Sequence, residues 1–411
     1  MLFPVVIGRE KIMFGNLSIK LFDRDTAFDV LREDWQRLYA QSEAAPFLSW
    51  EWTATWFKSF GNNRLPYVLA AYSGPKLVGL LPLYFEEKRI LGMSLKTLAF
   101  INSEIGGAAY LDVLALPTEK TAATIAFLEF LTMRGGVDVL ELEGIAADST
   151  LLKQIEKQNA WSKFRLRVVP QDVCQFAEVG DDREKFLARI YNDTAKKKLK
   201  RLKKLSGFEF RRTTALAEIE AALQRFFNLH DGNWTQKGGS DVTGHQQLLD
   251  FHRAAATTGA HREAIFFDEL WIENKCVASL YGFQKAGAYF YYSSGYDAQL
   301  AKLSPMVILY NLSIEKGLED NVRTFDFLRG SQSYKAHWVN GQNELVTISL
   351  SRKTVPALMH DTISRTSVKL RDFSNSAIPS GVLEKLKNVR RRWKRNSRLT
   401  ATPGKIVQET I

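Results

Sequence analysis

The stretch "FDFLRGSQSYKAHW", residues 325–338, places Asp326, Arg329, Tyr334, Lys335 and His337 directly after a run that reads as a buried strand. Asp, Tyr and His are the residue types that give and take protons, and Arg and Lys those that neutralise phosphates and carboxylates. Asp326 alternates with Phe325 and Phe327, so in a strand it points to the opposite face from both. Loops at strand exits are where chains concentrate function, which suggests that a substrate is handled here. A structural Asp–Arg pair with Tyr334 and Trp338 packed over the core edge would leave the same letters. The residues alone keep both readings open.

Other groups of this kind are sparser. His230 and Trp234 are four apart, on one face of a helix; both contacting a substrate and a packed His beside a core Trp fit that spacing. "YFYY" (289–292) reads as a strand with aromatics on both faces, and a sugar-stacking platform that includes Tyr292 is the alternative. His245 and His252 are seven apart with no third ligand, so no metal site is expected. No Gly-x-Ser-x-Gly elbow, Walker loop or dinucleotide fingerprint is present.

The elements that must position these residues read as α/β, in two similar series. In the first, strand "LSIKLF" leads to a helix near 26–41 and a second in "FLSWEWTATWFKSFG", capped by Ser49 and stopped at Gly61. Trp52, Trp56 and Phe60 form a core-facing stripe on that helix. Then come a hairpin around "SGPK", strands "LKTLAFI" and "AYLDVLAL", a helix over 118–134 and the strand "VDVLELEGI". The second series runs through helices 216–234 and 246–259 and three antiparallel strands turning at "ENK" and "KAG". A helix over about 304–319 follows, with Ser304 as N-cap and Pro305 at its first position, and then the strand "RTFDFLRG". The shared order indicates an internal duplication, with units at 1–165 and 166–355 and a helical, basic tail at 356–411. Asp112, in a strand of the first unit, then has a cleft between the units to line.

With 411 residues, 45% hydrophobic and 25% charged, the composition is that of a globular protein too long for one ordinary core. No apolar run is long enough to span a bilayer, and the opening residues lack the features of a signal peptide. Two distant cysteines, Cys174 and Cys276, make neither a disulfide framework nor a metal knuckle, so a cytoplasmic protein is expected. The net charge of +11 is local: "KKKLKRLKK" (196–204) and "EKLKNVRRRWKRNSR" (384–398) each carry +7, leaving −3 for the rest. Such patches suit an anionic partner: phosphate, nucleic acid or a lipid surface. The first is expected to be a helix capped by Asp193 or Thr194 and stopped by Gly207, with Leu199, Leu202 and Leu205 as apolar anchors. The second, with Trp393, has the make-up of an arm that touches an anionic membrane.

In this order, "FLSWEW", "YVLAAYSGPKLVGLLPLY", "AYLDVLAL", "HDGNW", "YYSSGYD", "LSP" and "DFLRGSQSYKAHW" resemble the CelD/BcsL-like acetyltransferases, a branch of the GNAT superfamily associated with exopolysaccharide and cellulose synthesis. The resemblance covers roughly residues 20 to 350 and implies two GNAT-like units in tandem, as in Fem-type aminoacyl transferases. It further implies an acyltransferase that moves an acetyl or similar group from acyl-CoA to an amine or hydroxyl of a sugar or polysaccharide precursor. On that resemblance Tyr334 is the acid for the leaving thiolate, and Asp326 the base or an orienting group. Arg329 and Lys335 neutralise a phosphate or carboxylate, and backbone N–H groups near Tyr292, Ser293 and Ser294 receive the developing oxyanion. Gln299 and the helix start at Ser304, Met306 and Val307 hold the CoA phosphates, and His230, Trp234, Asp112 and Tyr292 face the acceptor. The chain departs from the superfamily's pyrophosphate loop: "QLAKLSPMVIL" keeps Gln299 but has no glycines, with Met306 where Gly is common. Two other activities stay open at this point. One is a Fem-like transferase that uses aminoacyl-tRNA; the other is a non-catalytic adaptor docked on the membrane through 384–398.

Overall fold

The computed structural model describes residues 11–24, 26–103, 105–157, 164–180, 182–234, 246–258 and 265–363, with the side chains of 231–234 outside the description. The basic run 384–398 and His245 therefore lie outside the described residues.

The first half opens with strands β1 (Ile12–Phe14) and β2 (Leu17–Phe22), then helices α1 (Ala27–Ala40) and α2 (Trp50–Phe60). Ser49 caps α2 by accepting from the Trp52 amide, and Trp52 and Trp56 are fully buried. An antiparallel meander follows: β3 (Leu65–Ser73), β4 (Lys76–Ile90) and β5 (Met93–Phe100). After a two-residue strand β6 (Leu114–Ala115) come helix α3 (Lys120–Arg134) and β7 (Val139–Ala146), which runs parallel to β5. Helix α4 (Thr150–Lys157) and the long strand β8 (Phe164–Glu178) end this half.

The second half repeats the order. Two short helices, α5 (Arg183–Ile190) and α6 (Asp193–Leu202), precede β9 (Glu209–Thr213), α7 (Leu216–Trp234) and α8 (Gln246–Thr257). The meander is β10 (Ile265–Ile272), β11 (Lys275–Lys285) and β12 (Ala288–Tyr296). Its turns sit at the expected places, with Glu273, Asn274, Ala286 and Gly287 all at positive φ. Helix α9 (Pro305–Glu319), strand β13 (Thr324–Arg329), parallel to β12, and β14 (Gly341–Arg352) complete it.

Among the described residues all strands but β6 lie along one sheet path, in the order β1-β2-β3-β4-β5-β7-β14-β8-β13-β12-β11-β10-β9, with β6 beside β4. The seam is an exchange. β8, the last strand of the first half, pairs with β13 of the second, while β14, the last of the second, pairs with β7 of the first; the two exchanged strands pair with each other along their length. Two aromatic-rich cores flank the sheet. One joins α1–α3, α7 and α8; the other lies under α5, α6 and α9.

Several expectations are corrected. The residues read as strand "AYLDVLAL" form a loop that becomes strand only at Leu114–Ala115, with Tyr110 at a φ of 59°. Asn192, rather than Asp193 or Thr194, caps α6, because its side chain accepts from the Ala195 amide. Ser304 does precede α9, but it is in the left-handed region with no side-chain cap bond. Residues 355–363 are helical and pack Ala357 against Leu95 and Val139.

Candidate functional site

The parallel pair β12–β13 is bonded only from Ala288–Phe290 to Thr324–Asp326. Beyond that both strands leave register. β12 shifts against β11 at Tyr281/Gly282, and β13 shifts against β8 between Asp326 and Arg329, where Leu328 has a φ of 51°. The diverging ends leave their side chains on two faces of the sheet, and the candidate residues divide accordingly.

On the α9 face, Phe325 and Phe327 pack against Tyr291, and Phe327 also against Tyr310. The Tyr310 hydroxyl donates to Ser294 Oγ at 3.4 Å, and the Tyr334 hydroxyl is its electrostatic neighbour. Ser294 from β12, Tyr310 from α9 and Tyr334 from the turn after β13 thus converge. Trp338 fixes that turn: it stacks on Phe327, and its indole N–H donates to Asn311 Oδ1 at 2.7 Å. The Tyr334 side chain is half exposed, but burial around its hydroxyl raises its pKa, against the pull of Tyr310, so it holds its proton at neutral pH. The start of α9, one turn before Tyr310, offers fewer free donors than most helix N-termini: Pro305 has no N–H, and the Val307 amide donates to Ser304 O at 3.1 Å. Met306 and Val307 there are partly buried against the same core as Leu199 and Leu205 of the basic segment, and α6 packs on α9 and on the 3₁₀ turn Ala298–Leu303. Gln299, in that turn, is exposed, and its backbone N–H donates to Asp297 Oδ1. Ser293 is half-buried in β12.

On the opposite face Asp326 is 4% exposed. One carboxylate oxygen accepts from Tyr110 Oη at 2.6 Å and the other from the Leu328 amide at 2.7 Å. Burial pushes its pKa up to about 6, with these bonds and the Lys335 charge pulling the other way. Asp112 is half-buried; Lys120 lies 2.7 Å from its Oδ2 and the Val113 amide donates to Oδ1. Its pKa is raised by burial, against the pull of Lys120. Asp112 and Asp326 line one cavity of about 410 Å³ between the halves, together with Tyr110, Lys120, Phe290 and Asn343. Tyr110 is the member that reading the sequence missed. Its only signal was its place two residues before Asp112; its reach to β13, 216 residues away, is a property of the fold.

The two cations are engaged by the backbone, which corrects their expected role toward a phosphate or carboxylate. Lys335 Nζ lies within 3.4 Å of the carbonyl oxygens of Phe327, Leu328, Arg329 and Gly330, a clip on the end of β13, and burial lowers its pKa to about 8. Arg329 donates to the Ala108 carbonyl in the first half, and burial lowers its pKa. Tyr292 is likewise occupied: its hydroxyl donates to Gly106 O at 2.9 Å, and its ring packs among Phe47, Trp52, Phe283 and His252. His230 is buried against Phe226, and burial takes its pKa down to about 4; His252, deeper still, falls to about 3. Both are neutral at ordinary pH. The Trp234 side chain lies outside the described residues. Among the described residues no group of three or more His, Cys, Asp or Glu is placed to hold a metal ion, and no helix is long and apolar enough to cross a membrane.

Known proteins share parts of this arrangement. Residues 191–336 match the family described as "Acetyltransferase (GNAT) domain", a similarity that falls within the second half. The solved structure of FemX matches with a TM-score of 0.53 at 8% identity, over 83% of this chain and 96% of that one. The C-terminal domain (DUF2156) of a protein described as a lysylphosphatidylglycerol synthetase, from Agrobacterium fabrum, matches with a TM-score of 0.52 at 11% identity, over 82% and 96%. A conserved protein of unknown function from Bacteroides thetaiotaomicron gives 0.52 at 10% identity, over 81% and 100%. No curated protein matches the sequence. The chain is thus a mixed α/β protein whose halves share one sheet, with the second half similar to a GNAT acetyltransferase domain.

Proposed function

We propose that this chain transfers an acetyl or similar acyl group from acyl-CoA to an amine or hydroxyl, with a sugar or polysaccharide precursor as the acceptor. The observation that carries the reading is the opening of β12 from β13 beside the start of α9, with Ser294, Tyr310 and Tyr334 gathered at its edge. A thioester lying there has its carbonyl beside the backbone N–H groups that end β12, which take up the oxyanion charge as the acceptor attacks. The carbon–sulfur bond then breaks, and the thiolate takes a proton from Tyr334, whose raised pKa keeps it protonated until then. The acceptor's own proton passes to a base; Asp326, on the other face of β13, is the carboxylate available for this. The cations of α6, a helix packed on α9, supply the attraction for the donor's phosphates that the absent glycine loop does not. The sugar acceptor rests on the sequence resemblance alone.

Calorimetric titration of the purified chain with acetyl-CoA tests the reading, beside a Lys196→Glu/Lys200→Glu variant. Saturable micromolar binding, weakened at least tenfold by the charge reversal, is expected. No binding at millimolar acetyl-CoA sinks it; steeply salt-dependent RNA binding in that case would move the weight to an aminoacyl-tRNA donor, a rival to which the FemX-like fold and the basic helix give some support.

A further inference from the structure

The cavity between the halves has properties that acyl-CoA binding on the α9 face does not account for. Its lining comes from both halves: the loops around Ala44, Val113 and Ser149, the start of α3, the paired ends of β12 and β13, and β14. Glu43, Asp112, Asp148 and Asp326 contribute to it, against Lys120 alone, and Lys120 is already paired with Asp112. Glu43 and Asp148 are exposed at the rim, while Asp326 is buried inside.

Asp326 is the informative group. Its hydrogen-bond donors, the Tyr110 hydroxyl and the Leu328 amide, are both neutral, and among the described residues no cation forms an ion pair with it. Lys335 is nearby, but its ammonium is surrounded by carbonyl oxygens. A buried carboxylate without a countercharge is costly, and a chain keeps one at a cavity wall where something else supplies the charge. Both donors, moreover, belong to residues at positive φ: Tyr110 at 59° and Leu328 at 51°. Bulky residues rarely occupy that region, and such strain collects at sites where geometry is held for function. Asn343 donates to Tyr110 Oη at 3.2 Å, which leaves the hydroxyl proton aimed at Asp326.

We propose that this cavity is a binding site for a small ligand bearing a primary ammonium group, seated on Asp326, with Tyr110 of the first half as the positioning residue. Its volume, about 410 Å³, suits a ligand of monosaccharide size. The proposal does not need acyl transfer to be right; only the question whether the ligand is consumed depends on that reading. The groups that face Asp326 directly are Tyr110, Cys174 on β8 and Lys335, with Asp172 and Arg329 beyond Cys174. None of these is the missing cation. Asp326 titrates near 6, so the ammonium site is present above that pH and lost below it.

The test titrates the full chain at pH 7.5 with glucosamine and ethanolamine, and with their uncharged counterparts glucose and ethylene glycol. At least one amine is expected to saturate, at least tenfold more tightly than its neutral counterpart and with the affinity falling as pH drops to 5. Asp326→Asn should weaken it at least tenfold and Tyr110→Phe several-fold, both with unchanged near-ultraviolet circular dichroism. Absence of binding by either amine, equal binding of the neutral pair, or an unaffected Asp326→Asn protein would overturn the site. Adding acetyl-CoA separates the sources: an acetylated amine in the mass spectrum makes the ligand an acceptor, and an unmodified one makes it a non-reacting ligand of the same site. Failure of acetyl-CoA to bind leaves the amine titration fully readable.

Discussion

Asp326 ties the chemistry of the molecule to its stability. Its pKa is raised from the usual carboxylate value to about 6, so the native state holds this proton more tightly than the unfolded chain does. The sign follows: the stabilisation is complete below the unfolded pKa and declines as pH rises through the folded one. A shift of about two units is worth on the order of 3 kcal/mol. Asp326→Asn should therefore unfold at higher urea than the wild type at pH 7.5, with the gap closing toward pH 4. The opposite ordering would mean that the carboxylate is stabilised in the folded state. Asp326 was legible in advance because strand alternation assigns its face from its neighbours alone. Lys335 was not: whether a lysine meets a phosphate or four carbonyl oxygens depends on where the chain bends after Arg329.

At the scale of elements, the approach of α7 to the end of β12 is set by Gly295. A methyl group there would come within 2.5 Å of the His230 backbone nitrogen and 2.8 Å of its Cα, so the helix would have to move. Gly295→Ala should cost about 1–3 kcal/mol in urea unfolding, and an unchanged midpoint would contradict this close packing. Most helices and both meanders were legible in the sequence, since their apolar periods and turn residues are local. The seam strands were not. β8 carries Pro170 and scattered charges, which argue against an interior strand, yet it has partners on both sides. The proline is accommodated because β13 pairs with β8 only from Cys174 onward, and the ladder to β14 bulges beside it, with Gln171 skipped between the pairs Asp172–Leu345 and Pro170–Val346. The loop that bears Tyr110 was read as a strand for the converse reason: its alternating letters fit one, and the left-handed turn at Tyr110 leaves no mark in the pattern.

For the molecule as a whole, the exchange of β8 and β14 makes the halves interdependent. A chain ending at residue 340 lacks β14 and leaves one edge of β7 and one of β8 open at once. We expect that truncation to show no cooperative urea transition by circular dichroism, and the full chain to show a single one shared by tryptophan fluorescence and circular dichroism. Two separate transitions in the full chain would show the halves to be independent. The exchange also has a consequence for synthesis on the ribosome. β7 is complete at Ala146, but the strand that covers its outer edge ends at Arg352. At roughly 5–20 residues per second, that edge waits on the order of 10–40 s in the nascent chain. An unpaired strand is a template for wrong partners, so the growing polypeptide is most open to misassociation while its second half is still being made.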